Sequence, residues 1–281
     1  FGRFKLRPAP EPLELAPGLA KTYSFPTFYA DVGCAIAIFL CDYRRALALM
    51  PHPSLQPVRM PRGRAVVLLS CYQYRKVLGL APYNEIAMTI PVMAGRQGPP
   101  VLPLVMDLAG KGYYVFSMPV TSLENQIRGT RIWGLPKLVE AIDITLDDER
   151  CTTVAHDADG EPYFELSVPT SGRLKRFDEA GILYTLREGR LLRSRTCFAG
   201  DFRVTTDLAR LWRRGGSPGG FPRGGSGGNR ESADMMCALR MPIASSRRLA
   251  PLSRRGRRSG TLCPNGPRTS IPWPSAATPR W

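Results

Sequence analysis

Apolar residues along the chain recur at every second position or in short unbroken runs of strand length. The longest run, "GCAIAIFLC" at 33–41, is well short of the roughly 18–20 apolar residues that a membrane-spanning helix needs. "RAVVLLSCYQY" (64–74), "NEIAMTIPVM" (84–93) and "YYVFSMPV" (113–120) are rich in β-branched, aromatic and long apolar side chains and are bounded by Gly and Pro, which predicts strands. "LVEAIDITL" (138–146) alternates apolar and polar residues, so one of its faces is buried. "CTTVAHDADGEPYFELSVP" (151–169) and "GILYTLREGRLLRSRTCF" (181–198) read as hairpins turning at Asp159-Gly160 and Glu188-Gly189. Helical signals are brief. Asp42 is placed to cap "YRRALALM", which Pro51 ends. "TSLENQIRG" (121–129) pairs Thr121 with Glu124 as a capping box, with Gly129 as its stop. Many strands, short turns and few helices describe a mainly β protein, α+β in the broad sense, built as an antiparallel sheet or barrel with small helices at its edge.

The pattern divides the 281 residues into three stretches. Residues 1–26 are proline-rich and read as an extended arm; 27–214 carry the strand pattern and form the domain. Residues 215–281 show no sustained period of 2 or 3.6 and are dominated by Gly, Pro, Ser and Arg, a composition that buries too little apolar surface to offset chain entropy. Three readings of that tail stay open: a disordered Arg/Gly segment that binds RNA, a linker without function, or GC-rich DNA read out of frame. The segment "GRQGPPVLPLVMDLAGKG" (95–112) either crosses a pocket or merely joins two strands.

Charge and cysteine usage narrow the functional classes. The net charge is +16, but the tail alone holds 11 Arg against 2 acidic residues, so the excess does not describe the domain. Aromatic residues for base stacking are few there and not interleaved with the arginines, which argues against nucleic acid as a partner. Seven cysteines without a CxxC spacing and only two histidines, His52 and His156, argue against a disulfide framework and against a metal site. No cofactor is expected. The opening "FGRFKLRPAP" has no charged-then-apolar leader, and a cytoplasmic location with no membrane association is the expectation.

One segment carries candidate chemistry. "RIWGLPKLVEAIDITL" sets Lys137 directly behind Gly134-Leu135-Pro136, in a chain that otherwise uses 33 Arg against 6 Lys. A deprotonated amine attacks a carbonyl to form an imine, which a guanidinium does not do. The neighbours Ile132, Trp133, Leu135, Pro136, Leu138 and Val139 are apolar enough to desolvate the ammonium and lower its pKa. The alternative is a surface lysine that opens a strand after a proline turn.

"GTRIWGLPKLVEAIDITLDD", preceded some fifty residues upstream by "GLAPYNEIAMTIPV", resembles the acetoacetate decarboxylase family and its wider superfamily, with matching order and spacing over about Asp31 to Phe198. The resemblance implies a cone-like antiparallel β-barrel with flanking helices, and a homo-oligomer. It places Lys137 on the family's imine-forming lysine, which would attack the ketone of a keto-acid substrate and use the protonated imine as the electron sink for loss of CO2. Activation of such a lysine by its surroundings is the known pattern for this family. Glu85 falls on a pocket glutamate suited to proton handling, its alternative being a strand-edge carboxylate in solvent, and Tyr83 precedes it as the family's tyrosine does. Trp133 and Arg131 join the expected pocket, and a second pocket glutamate falls on Ser70. The departures are specific. Leu138 stands where the family has a second lysine, so activation would rest on burial, or on Arg128 or Arg131 folding back. Thr130-Arg131 replaces the family's Arg-Glu, and no arginine near Asp31–Gly33 is available to hold the substrate carboxylate. Family members also continue as barrel beyond the point where this chain becomes Gly/Arg-rich, and a barrel short of its last strands has open edges. The expectation is a Schiff-base lyase acting on a β-keto acid. Its competitors are an aldolase or dehydratase using the same imine, a non-catalytic binding barrel, and a basic RNA-binding protein.

Overall fold

The computed structural model describes residues 5–205 and the backbone of one further strand, Met235–Met241. The proline-rich start is not a bare arm. It forms two small ribbons, β1 (Arg7–Pro8) with β4 (Ser24–Phe25), and β2 (Leu13–Ala16) with β3 (Leu19–Lys21). The main sheet begins with β5 (Tyr29–Asp42), followed by helix α1 (Tyr43–Ala48), β6 (Leu55–Pro57), β7 (Arg64–Val77) and β8 (Tyr83–Ala94). A short helix α2 (Leu102–Val105) leads to β9 (Lys111–Val120), helix α3 (Leu123–Trp133) and β10 (Lys137–Val139). Strands β11 (Ala141–Leu146), β12 (Arg150–His156) and β13 (Pro162–Pro169) form a separate antiparallel sheet. The long hairpin β14 (Arg173–Arg187) and β15 (Arg190–Thr205) precedes β16 (Met235–Met241).

The strands of the main sheet pair in the order β9, β14, β15, β16, β5, β7, β8, and β8 pairs with β9 again. The pairing returns on itself, which is how a curled sheet removes its open edges. Strand β16 supplies the link between β15 and β5. It lies inside the stretch that begins at Gly215; "MMCALRM" is a single short apolar run between Asp234 and Pro242 with no alternation and no second strand pattern beside it, too little to predict a strand in that composition. The rest of 215–281 lies outside the described residues. Among the described residues no helix is long and apolar enough to cross a membrane.

Alternation along β7 and β8 sorts side chains onto two faces. Cys71 and Ile86 point to the face covered by the three-stranded sheet, where they pack with Ile142, Cys151, Leu166 and Val168. Ala87 points the other way and packs with Val115 and Met118 of β9, with Tyr72, Leu135 and Leu183 around them. This second face holds the polar residues discussed below.

Local signals were read correctly where they involve a single cap or turn. The Asp42 carboxylate accepts from the Arg45 backbone N–H at 2.9 Å. At the β14–β15 turn Glu188 and Gly189 have φ of 51° and 73°, the pair of positive values a two-residue hairpin turn requires. At α3 the expectation needs correction. The cap is Ser122, whose hydroxyl accepts from Asn125 N–H at 3.2 Å, while the Thr121 hydroxyl accepts from Asn84 N–H of β8. Glu124 turns outward to Lys21 and Tyr23. Nor does the helix stop at Gly129; it continues to Trp133 and ends on Gly134, left-handed at φ 62°. The segment 95–112 follows the end of β8 opposite to Glu85, so it joins two strands.

Candidate functional site

The site is assembled by register. Across the β7–β8 pair, Ser70 faces Ala87, Tyr72 faces Glu85, and Tyr74 faces Tyr83. On the other side of β8, Glu85 faces Val120 of β9, and Lys137 of β10 lies beside Met118, two residues earlier on the same strand. Period-2 alternation then puts Tyr72 and Tyr74 of β7, Tyr83 and Glu85 of β8, and Lys137 of β10 on one face of the sheet. The tyrosines make a wall. The ring centroids of Tyr72 and Tyr74 are 5.3 Å apart, those of Tyr74 and Tyr83 4.8 Å, and those of Tyr29 and Tyr74 4.7 Å.

Helix α3 and its cap deliver the lysine. The Gly134 N–H bonds back to Thr130 C=O and the Leu135 N–H to Gly129 C=O, closing the helix in a left-handed glycine cap. Pro136 then turns the chain into β10, where Met118 N–H donates to Pro136 C=O at 3.1 Å. Lys137 points inward and is 6 % exposed, while Leu138 and Val139 face out. Its ammonium donates to Glu85 Oε2 in a short ion pair and to Asn125 Oδ1 at 3.2 Å, and lies 5.8 Å from the Tyr83 ring centroid. Gly129 makes room for the stem. A Cβ there would sit 2.5 Å from both Cδ and Cε of Lys137, and the pinned ammonium leaves the stem little freedom to yield.

Glu85 is itself buried at 5 % exposure and accepts from Tyr74 Oη at 3.4 Å on its other oxygen. The effect of this charge is felt along the wall. Burial first, and the Glu85 carboxylate next, push the Tyr74 and Tyr83 phenols well above their ordinary range, so both stay protonated and able to donate. Tyr29 exposes 44 % of its surface, but its phenol is pushed up by burial of the hydroxyl end and then by Glu85, while the charge of Arg128 pulls the other way.

The site is thus a buried primary amine held between a carboxylate and an amide, against a tyrosine wall. The acetoacetate decarboxylase family profile matches residues 11–181, more than half of the chain. This chain belongs to the acetoacetate decarboxylase family. No curated protein matches it. Among solved structures it is similar to the enduracididine biosynthesis enzyme MppR complexed with pyruvate (12 % identity, 74 % of this chain and 83 % of that one, TM-score 0.47). It is also similar to an acetoacetate decarboxylase from Legionella pneumophila subsp. pneumophila str. Philadelphia 1 (12 %, 78 % and 85 %, TM-score 0.37). A third is an acetoacetate decarboxylase-like enzyme from Sphingomonas wittichii RW1 (18 %, 76 % and 88 %, TM-score 0.37). Likenesses this distant add nothing to the family match.

Within this family member the residues singled out from sequence do not all converge. Lys137, Glu85 and Tyr83 meet. Ser70 is buried on the same face of β7 as Tyr72 and Tyr74, two positions before Tyr72. Trp133 packs edge-on against Phe25 and against Arg128, on the helix side of the site. Arg131 does not fold back; it is exposed and donates to Glu14 C=O of β2 at 3.1 Å, so the expected pocket role for it is not supported by its position. Arg128 does fold inward. Asn125, Arg128, Gly129, Tyr72 and Tyr74 were not singled out as site residues. The tyrosines were recoverable as the period-2 partners of Ser70. Asn125 and Arg128, three apart, lie on the helix face that also presents Gly129, and nothing local tells a polar residue on a buried stripe from one on a solvated face.

Proposed function

We propose that the chain is a Schiff-base lyase of its family that releases CO2 from a β-keto acid through Lys137. What carries the reading is the burial of the Lys137 amine between Glu85 Oε2 and Asn125 Oδ1. A surface lysine opening a strand would have neither partner. Glu85 accepts the proton that the ammonium must lose, freeing the lone pair. The amine adds to the ketone carbon; the carbinolamine loses water and becomes a protonated imine. The bond between the carboxylate carbon and the α-carbon then breaks, its electron pair moves through the α-carbon to the imine nitrogen, and CO2 leaves. The resulting enamine takes one proton at the α-carbon, and water releases the methyl ketone and restores the amine. Net, one β-keto acid anion and one proton become one ketone and one CO2. Glu85 is within reach of Nζ for the proton transfers, and the Tyr74 hydroxyl orients it.

Proton NMR in D2O, run on a panel of 2- and 3-keto acids, tests the reading. The expected result is loss of a 3-keto acid with formation of a deuterium-bearing methyl ketone and bicarbonate, absent in Lys137→Arg. Exchange of α-protons without CO2 release would replace decarboxylation by aldol or dehydratase chemistry on the same imine. Neither exchange nor turnover in a folded sample would leave a binding barrel instead.

A further inference from the structure

Helix α3 buries a second cation on the helix side of the site, and among the described residues this one makes no salt bridge, although Glu124 feels its charge. Arg128 is 2 % exposed. Its guanidinium lies against the rings of Trp133 (4.9 Å) and Tyr23 (5.2 Å), and its Nη2 donates to the Thr27 hydroxyl. Its Nε and Nη1 make no hydrogen bond of good geometry among the described residues, and the polar group that approaches the guanidinium beside Thr27, the Tyr29 phenol, carries no charge. The neighbouring carboxylates are committed elsewhere. Glu124, four residues earlier, is taken by Lys21 and Tyr23, and Glu85 by Lys137 and Tyr74. Leaving a guanidinium buried and uncompensated is costly, and arginine, unlike lysine, does not relieve the cost by losing its proton.

The second observation is one helical turn away. Asn125, also 2 % exposed, accepts from the Lys137 ammonium on its Oδ1, while its Nδ2 makes no hydrogen bond of good geometry among the described residues and has only the neutral Tyr83 phenol near it. The two atoms of one amide are about 2.2 Å apart by covalent geometry, so this spare donor is within roughly 5.5 Å of Nζ. Side chains three apart on a helix are neighbours, which puts Asn125 and Arg128 on one face of α3, and the Tyr29 phenol feels the charges of both Glu85 and Arg128. Both donor sets lack the same thing, an acceptor carrying negative charge.

We propose that Asn125 and Arg128 form the carboxylate-binding site for the keto acid whose carbonyl reacts with Lys137, a role taken over by helix α3 in a chain whose first long strand carries no arginine at 31–33 and whose Arg75 is bound to Asp31. The inference rests on the imine reading of Lys137 and adds the group that selects an acid over a neutral ketone. The bound carboxylate accepts from the Asn125 amide and from Arg128, so it satisfies the buried guanidinium and fixes the substrate by its acidic end.

The test uses the full 281-residue chain as wild type, Arg128→Gln and Arg128→Lys, with folding checked by circular dichroism. Acetoacetate and pentane-2,4-dione, a neutral diketone of similar size, are titrated with borohydride reduction, and the Lys137 adduct is quantified. The wild type is expected to saturate at a lower concentration of the acid. In Arg128→Gln that preference falls by about 10- to 100-fold, the effect of losing one charge-assisted hydrogen bond, and Arg128→Lys keeps part of it. An unchanged preference in Arg128→Gln overturns the proposal. A second arm needs neither the imine nor a variant. 3-Hydroxybutyrate, which has the carboxylate but no ketone, is expected to raise the wild-type Tm where its methyl ester does not. No rise overturns the proposal even if Lys137 forms adducts. A rise without any Lys137 adduct keeps the anion site and removes the imine reading.

Discussion

Lys137 and Arg128 are buried to nearly the same degree by the same helix-to-strand unit, yet among the described residues one is salt-bridged to a carboxylate and the other is not. The difference separates two uses of a buried cation. Lys137 has its charge balanced inside the protein by Glu85, which in the proposed reaction also receives the proton the ammonium gives up. Arg128 keeps its charge permanently, and two of its nitrogens, Nε and Nη1, make no hydrogen bond of good geometry among the described residues. A site that must bind an anion and also run an amine as nucleophile needs both kinds, and needs them to stay distinct.

The two cations differ most in their expected effect on stability. Glu85→Gln is expected to cost about 3–5 kcal/mol in chemical denaturation, because it strands a buried ammonium. Replacing Arg128 with Met removes a buried charge that makes no salt bridge among the described residues and is expected to be neutral or stabilising. Equal losses for the two would mean that Arg128 is compensated after all. Gly129→Ala comes next. The new methyl displaces the Lys137 stem, and a misplacement near 1 Å reduces the rate of adduct formation about 100-fold, while exposed Gly160, which has open space for a Cβ, tolerates the same change in this assay. Tyr74→Phe removes the hydroxyl that holds Glu85 at 3.4 Å and is expected to cost about 1 kcal/mol. The smallest effect belongs to a surface pair that serves as a control. The hydrogen bond and charge of Arg75 hold the Asp31 carboxyl below its ordinary value of 3.8. Its stabilisation is therefore present above about pH 4 and lost as pH falls through the lowered value. Being partly exposed, the pair contributes no more than about 1 kcal/mol, and Asp31→Asn should flatten only that acid limb of the stability curve.

How much of this was legible in the sequence depends on the range of the interaction. Strands β7, β8, β9 and the two hairpins follow from alternation and turn residues, which are local. Lys137 and Glu85 were found because a family resemblance links segments some fifty residues apart; no periodicity joins them, and their meeting is a consequence of β8–β9–β10 register. Asn125 and Arg128 were missed as a pair because a helix in isolation does not say which stripe is buried. The capping box at Thr121 and Glu124 was misread for a similar reason: both side chains are claimed by distant partners, Asn84 and Lys21. Strand β16 escaped because its pairing with β15 and β5, rather than its own composition, makes it a strand.

The most direct test of the account is peptide mapping by mass spectrometry after borohydride reduction of the folded protein with acetoacetate. The account predicts one adduct, on Lys137, that disappears in Lys137→Arg without moving to another lysine. A folded wild type that forms no adduct, or forms it equally on exposed lysines such as Lys175, would contradict the claim that Glu85 and Asn125 hold a reactive amine.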